Sequence, residues 1–332
     1  MGSLMRVVVI GCGGVGRRRA GLVAAHPDST LVAVVDVDRG RAEQSAAEHG
    51  CQALTSAAEA VSRDDVDAVV ISTSNDQHAP LGVAALRTGK HVLVEKPLAR
   101  EPGEAAELVA AARSARRVLQ TGFNHRFYPS IQKARQLVKE GAIGEPILCR
   151  CRYGHGGRTT FPQEWFTNKQ LSGGGTFLDN GVHALDLFRV FLGDFAEATG
   201  FVGNLVYQVQ PCEDNGMGVF RTAAGKLAML HSSWTQWENR FAFEVFGSEG
   251  WLNAGSKEEL TLGGRLPYIG TPPTQSWSFP NQDQSWADDW AEFAAAVREG
   301  RDPDATGEAG LKAVQMAHAV YEASSTGRTV RL

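Results

Sequence analysis

The apolar positions of this chain follow two rhythms. In the first part they form short continuous runs: Val7–Ile10, Leu31–Val35, Ala68–Ser72, His91–Glu95 and Val118–Gln120. Runs that are apolar throughout, and not only at alternate positions, mark strands buried on both faces, as in a parallel sheet. Helical stretches rich in Ala, Glu and Arg separate them. This alternation lasts to about Gly122 and predicts an α/β domain, a doubly wound parallel sheet covered by helices on both faces. Beyond Gly122 the rhythm changes. A helix is predicted over about Ser130–Glu140, a strand over Ile147–Tyr153, a polar glycine-rich loop to Gly175, and a helix from about Asp179 to Leu192. Long runs of strand character follow at Ala196–Val209, Gly218–Thr222, Lys226–Trp234, Phe241–Phe246 and Trp251–Asn253, with Ala223-Ala224-Gly225 as a hairpin turn. Helices over about Ser285–Glu299 and Glu308–Ser324 close the chain. The expected organisation is a Rossmann domain over 1–122 and an α+β domain with a mostly antiparallel sheet over 123–332.

The first apolar run empties into Gly11-Cys12-Gly13-Gly14-Val15-Gly16, a G-x-G-x-x-G turn that opens a helix. Gly11 permits the tight turn, Gly13 lets the backbone approach a pyrophosphate, and Gly16 lets the helix pack on the sheet. The positive helix N-terminus then faces the phosphates. The second apolar run ends in Asp36, where a carboxylate can accept hydrogen bonds from the adenosine ribose hydroxyls. Strand, glycines, helix, strand and acid in this order predict dinucleotide binding.

Ligands of open α/β sheets lie beyond the carboxyl ends of the strands. That rule selects Ser72-Thr73-Ser74-Asn75-Asp76-Gln77-His78, then Glu95-Lys96-Pro97, then Gly122-Phe123-Asn124-His125-Arg126. Lys96, pinned by Pro97 at a strand end, is the candidate for the nicotinamide end of a bound cofactor. Glu95 reads as the residue that holds Lys96 or the turn. In the second domain Asp179 and His183 are four apart, so on one helix they share a face. Gly173-Gly174-Gly175 before them lets the helix start approach a ligand or another backbone. Tyr153, His155, Arg158 and Trp165 are expected on the substrate side.

Composition narrows the function. The 332 residues are 43% apolar and carry a net charge of −4, too little positive charge for a nucleic-acid partner. Arg17, Arg18 and Arg19 fall in the first helix, where a surface or phosphate-side role is expected. No apolar run reaches the roughly 20 residues that span a bilayer. No secretory segment precedes the first strand, and Met5 offers an alternative start, so a cytoplasmic location is expected. The five cysteines (Cys12, Cys51, Cys149, Cys151 and Cys212) lack metal-ligand spacing and read as reduced thiols. No metal site is expected.

Taken in order, G-C-G-G-V-G, T-S-N-D-Q-H, G-K-H-V-L-V-E-K-P-L-A, N-H-R-F and S-G-G-G-T-F-L-D-N-G-V-H-A-L-D-L resemble the Gfo/Idh/MocA oxidoreductases, over nearly the whole chain. The resemblance implies a C-terminal domain whose open sheet forms a subunit interface, hence a homodimer or homotetramer. It implies Lys96 near the nicotinamide and the reacting hydroxyl, and His183 as the acid/base histidine. Asp179 is then the carboxylate that grips the substrate or orients that histidine. Asn75, His78, Glu95 and Asn124 match positions bordering the cofactor, with Thr73 and Ser74 beside them. Arg126 joins the substrate-side residues. Asp36 favours NAD, while Arg39 and Arg41 leave NADP as the alternative. The expected reaction moves a hydride between nicotinamide and a secondary hydroxyl or ketone of a sugar, cyclitol, glycoside or nucleotide sugar. Two other readings use the same glycine loop: an NAD-dependent glycosidase acting through transient oxidation, and a non-catalytic dinucleotide sensor. The lysine–histidine pair argues for an enzyme.

Overall fold

A computed structural model describes residues 4–264 and 274–332, which fall into two compact units: residues up to Phe123 with Trp286–Leu311, and Asn124–Ser285 with Lys312–Leu332. In the first unit β1 (Met5–Ile10), α1 (Gly14–Ala25), β2 (Ser29–Val35), α2 (Arg39–His49), β3 (Gln52–Leu54), α3 (Ala57–Ser62), β4 (Ala68–Ile71), α4 (Asn75–Arg87), β5 (His91–Val94), α5 (Pro102–Ala115) and β6 (Leu119–Thr121) follow one another. Their strands form one parallel sheet in the order β3-β2-β1-β4-β5-β6. The order reverses at β1, which places the glycine loop at the switch point of a doubly wound fold.

Because side chains alternate across a strand, β1 sends Val8 and Ile10 to one face and Val7 and Val9 to the other. Val8 and Ile10 pack with Val83 and Leu86 of α4 and Leu108 of α5. Val7 and Val9 pack with Ala20 and Val23 of α1 and with Trp290 and Phe293. Those two aromatics come from α10 (Ser285–Glu299), far along the chain. A single boundary at residue 122 therefore leaves out the returning segment Trp286–Leu311. Helical periodicity reveals that α10 has an apolar face, but not which sheet that face covers. The short edge strand β3 also escaped the sequence reading, since three residues carry no period.

The second unit opens with a 3₁₀ turn over Asn124–Phe127, then α6 (Pro129–Lys139), β7 (Pro146–Gly154), α7 (Lys169–Ser172), α8 (Thr176–Asp179) and α9 (Gly181–Leu192). Strands β8 (Phe195–Gly203), β9 (Asn215–Thr222), β10 (Leu227–Ser233), β11 (Arg240–Gly247), β12 (Gly250–Ser256), β13 (Glu259–Gly264) and β14 (Thr274–Ser278) come next. After α10, helix α11 (Gly307–Thr326) and β15 (Val330–Arg331) end the chain. The nine strands run in the order β14-β13-β12-β11-β7-β10-β9-β8-β15. Among the described residues of this sheet, only the pairing of β7 with β10 is parallel.

Three expectations differ locally. The strand predicted over Ala196–Val209 ends at Gly203. Past that point the backbone N–H groups of Leu205, Val206 and Tyr207 all donate to the Asp214 carboxylate, so they cannot join a ladder. The helix predicted from Asp179 to Leu192 is two helices, divided at Asn180. The loop predicted from Tyr153 to Gly175 also holds two 3₁₀ turns, at Phe161–Gln163 and Trp165–Thr167.

Candidate functional site

The glycine loop has the shape a dinucleotide requires. A Cβ on Gly11, which has φ +98°, would strike the Ser72 carbonyl, and one on Gly16 would strike the Gly11 carbonyl, so both positions exclude side chains. A Cβ on Gly13 or Gly14 would meet nothing within 4 Å, which leaves open space in front of the loop. Helix α1 starts there with no side chain capping it and no acidic residue in its first turn. Its first N–H groups and positive end therefore suit an anion. The Asp36 carboxylate accepts from Cys12 N at 2.8 Å and from Asp38 N at 2.9 Å, which anchors it beside the loop. Arg41 reaches the same carboxylate at 3.4 Å. Gly11 to Gly16 and Asp36 thus fit a bound NAD.

At the end of β4, Ser74 Oγ donates to Asp76 Oδ1 at 2.6 Å, and the buried Asn75 begins α4. His78 has internal partners for both ring nitrogens. It is buried, with Nδ1 2.8 Å from the Pro97 carbonyl and Nε2 3.3 Å from the Thr73 carbonyl, and it ties two strand ends together. Burial lowers its affinity for a proton, so one ring nitrogen donates and the other does not.

Lys96 is half-buried at the end of β5, and its neighbour Glu95 is held from behind. Arg19, expected in a surface or phosphate-side role, is wholly buried; it donates to Glu95 at 2.6 Å and forms an ion pair with Asp289 of α10 at 2.7 Å. Gln120 completes the group by donating to Asp289 at 3.0 Å. Desolvation pushes the Asp289 carboxyl up to about 6, against the pull of Arg19. Helix periodicity gave no sign that the third of three consecutive arginines points inward.

In the second unit Glu213 organises the glycine turn. Its carboxylate accepts from Gly175 N at 2.9 Å, Phe177 N at 2.8 Å and the Tyr321 hydroxyl at 2.9 Å. It thereby caps α8, which ends in the half-buried Asp179. A Cβ on Gly174 would collide with the Tyr321 hydroxyl and one on Gly175 with the Glu213 carbonyl, so the turn needs its glycines. Burial raises the Glu213 carboxyl to about 6.

His183, buried in the first turn of α9, stacks on His125 with ring centroids 3.6 Å apart and planes 11° apart. Arg126, expected on the substrate side, makes a buried pair with Asp186, through Nε at 2.7 Å and Nη2 at 2.6 Å. Asn124 donates to Ser285 at 3.2 Å. Tyr153, at the end of β7, places its hydroxyl 3.4 Å from His125 Nε2. His155 accepts from Gly157 N at 3.0 Å, and Arg158 pairs with Glu164 at 2.6 Å. Trp165 is exposed, and it is Phe161 that fills the space beneath the loop against Trp234. Geometry thus gathers Asn124, Tyr153 and His183 around His125, with Asp179 on the helix preceding α9. Arg158 and Trp165 lie further along the loop.

Comparison with known proteins matches residues 5–123 to the oxidoreductase family with an NAD-binding Rossmann fold, and residues 131–253 to the GFO/IDH/MocA C-terminal domain. Among curated proteins, the chain is 33% identical over 312 residues to a 1,5-anhydro-D-fructose reductase of Ensifer adhaerens, covering 91% of each. It is 27% identical to a myo-inositol 2-dehydrogenase of Thermotoga maritima, covering 99% of this chain and 98% of that one. Among solved structures, GenD2 from gentamicin A biosynthesis in complex with NAD superposes with a TM-score of 0.86 at 27% identity, over 100% of this chain and 97% of that one. Levoglucosan dehydrogenase in complex with NADH and levoglucosan shares the fold, with a TM-score of 0.92 at 22% identity over 99% of each chain.

Proposed function

Because the chain belongs to the Gfo/Idh/MocA oxidoreductase family and is an NAD-binding oxidoreductase, we propose that it oxidises a secondary hydroxyl of a sugar, cyclitol or related polyol, or reduces the matching ketone. The observation that carries this reading is the His183–His125 stack, with Asp179 at the end of the preceding helix, joined to relatives whose names describe carbohydrate and inositol chemistry. NAD, when bound, supplies the hydride acceptor. The chain's own residues handle the proton and the charge. A neutral His183 takes the hydroxyl proton as general base and returns it in the reducing direction. The Lys96 ammonium stabilises the developing alkoxide, an effect worth roughly 3–4 kcal/mol for a well-placed donor. Asp179 accepts from a substrate hydroxyl or orients His183. Asp36 reads the ribose hydroxyls and so favours NAD over NADP.

The protein works in this reading as a homodimer or homotetramer through the outer face of its nine-stranded sheet. Phe201, Met217, Val219, Leu227 and Met229 are exposed there, and Phe201 pairs with Met217 as Val219 does with Met229. Contiguous exposed apolar surface of this kind marks an interface. Its five unpaired thiols suit a reducing cytoplasm.

The test is absorbance at the reduced-nicotinamide band, with NAD or NADP offered alongside a panel of cyclitols, aldoses, glycosides and nucleotide sugars. NADH formation with one carbohydrate group establishes the reaction and its class together. Bound NAD with no turnover across the panel overturns the reading.

A further inference from the structure

His125 is buried in the 3₁₀ turn that opens the second unit, and it lies face to face with His183. Tyr128 stacks on it at 4.3 Å, and Phe241 of β11 meets it edge-on at 5.4 Å. The clamp has a foundation. Arg126, one residue on from His125, forms the two-pronged pair with Asp186, three residues on from His183. That pair locks the 3₁₀ turn to α9 and holds the two imidazoles in register. Tyr153 of β7 places its hydroxyl within reach of His125 Nε2.

From this arrangement, and on the reading that His183 transfers the substrate proton, we propose that His125 is the positioning residue for His183, setting the plane of its ring and keeping it neutral. Rings stacked face to face exchange no in-plane hydrogen bond, so His125 acts through contact and charge and not as a proton relay. Two imidazolium rings 3.6 Å apart repel strongly in a buried site, so the pair holds at most one proton near neutral pH. Among the described residues, charged and titratable groups reach the pair from several elements. Arg126 and Tyr128 come from its own segment, Tyr153 from β7, Asp186 from α9 and Asp179 from α8. The Arg126 and Asp186 charges cancel in their pair. Burial pushes the Tyr153 phenol well up, so it stays a neutral hydroxyl whose oxygen can accept from a protonated His125. In this proposal the Tyr153 hydroxyl favours the shared proton on His125, and His183 remains the base.

The test compares wild type, His125→Phe, His125→Ala and His183→Ala. Proton NMR titration of the histidine Cε1–H signals needs no substrate. It is expected to show two coupled steps for the pair in wild type. In His125→Phe a single step remains for His183, moved up by about one pH unit. With the substrate found in the panel, the acid limb of kcat/KM moves up by the same amount in His125→Phe, because a flat ring is kept and the second charge is not. His125→Ala loses the stack and falls at least about tenfold in kcat while NAD affinity holds. An unmoved His183 titration in His125→Phe overturns the proposal, as does wild-type turnover by His125→Ala. Failure of the underlying reading looks different, since His183→Ala would then turn over normally.

Discussion

Each unit of this protein supports its candidate site turn with a buried carboxylate, and the two do so by different physics. In the first unit the Lys96 turn follows directly from β5, whose place in the sheet is set by backbone pairing to β4 and β6. The buried group behind it is ionic: Arg19 between Glu95 and Asp289, drawn from α1, the end of β5 and α10. In the second unit the turn before Asp179 belongs to two short helices with no ladder to place them. The carboxylate of Glu213 does that work by accepting backbone N–H groups directly, with Tyr321 completing the set. Where a sheet already sets the position, charge reinforces it. Where no sheet does, a side chain has to define it.

The largest effect separating the two is expected at Arg19. Replacing it by methionine leaves Glu95 and Asp289 buried without their cation, which should cost about 3–5 kcal/mol. Thermal or urea unfolding of Arg19→Met will show this, and an unchanged midpoint would mean that the ionic group contributes little. Next comes Lys96→Ala, which should cut turnover by at least ~100-fold while NAD still binds, measured by steady-state kinetics and ligand-induced fluorescence. Smaller again is Asp36→Ala, which removes the acceptor for both Cys12 N and Asp38 N and the carboxylate that would repel a 2′-phosphate. The NAD-to-NADP ratio of kcat/KM should fall about tenfold or more, as expected for a lost ribose contact and a removed repulsion.

The smallest effect is one of pH. Glu213, at about 6 in the fold against its ordinary 4.5, binds a proton more readily folded than unfolded. Such a group adds stability that is fully present below pH ~4.5 and is lost as pH rises through about 6. Glu213→Gln removes the titration. The stability gap between wild type and variant should therefore be wider at pH 5 than at pH 7, by about 1 kcal/mol. Melting curves at the two pH values check this, and a gap of constant size would refute the burial argument.

Much of the first unit was legible because its signals are local. A strand, a glycine turn and an acid at the next strand end lie within Val7–Asp36, and sheet geometry carries Lys96 to the expected strand end. The second unit was legible only in outline. Asp179 and His183 stood out by spacing, and the sequence did not show that they lie on two successive helices joined at Asn180. Glu213 lies 38 residues past Gly175 and Tyr321 lies 108 past Glu213, separations that no periodicity reports. Asp186, the partner of Arg126, lies 60 residues on and gave no local sign. Both ring nitrogens of His78 face backbone carbonyls, which spacing does not report either. Polar side chains with distant internal partners are those whose surroundings a sequence reports least.

The central claim is a division of labour, with the dinucleotide held by the first unit and the proton moved by His183 of the second. Its most direct test measures NAD affinity by titration calorimetry and turnover by NADH absorbance on the same preparation of His183→Ala. The account predicts wild-type NAD affinity with turnover reduced at least ~100-fold. Turnover at the wild-type rate, or loss of NAD affinity in step with activity, would contradict it.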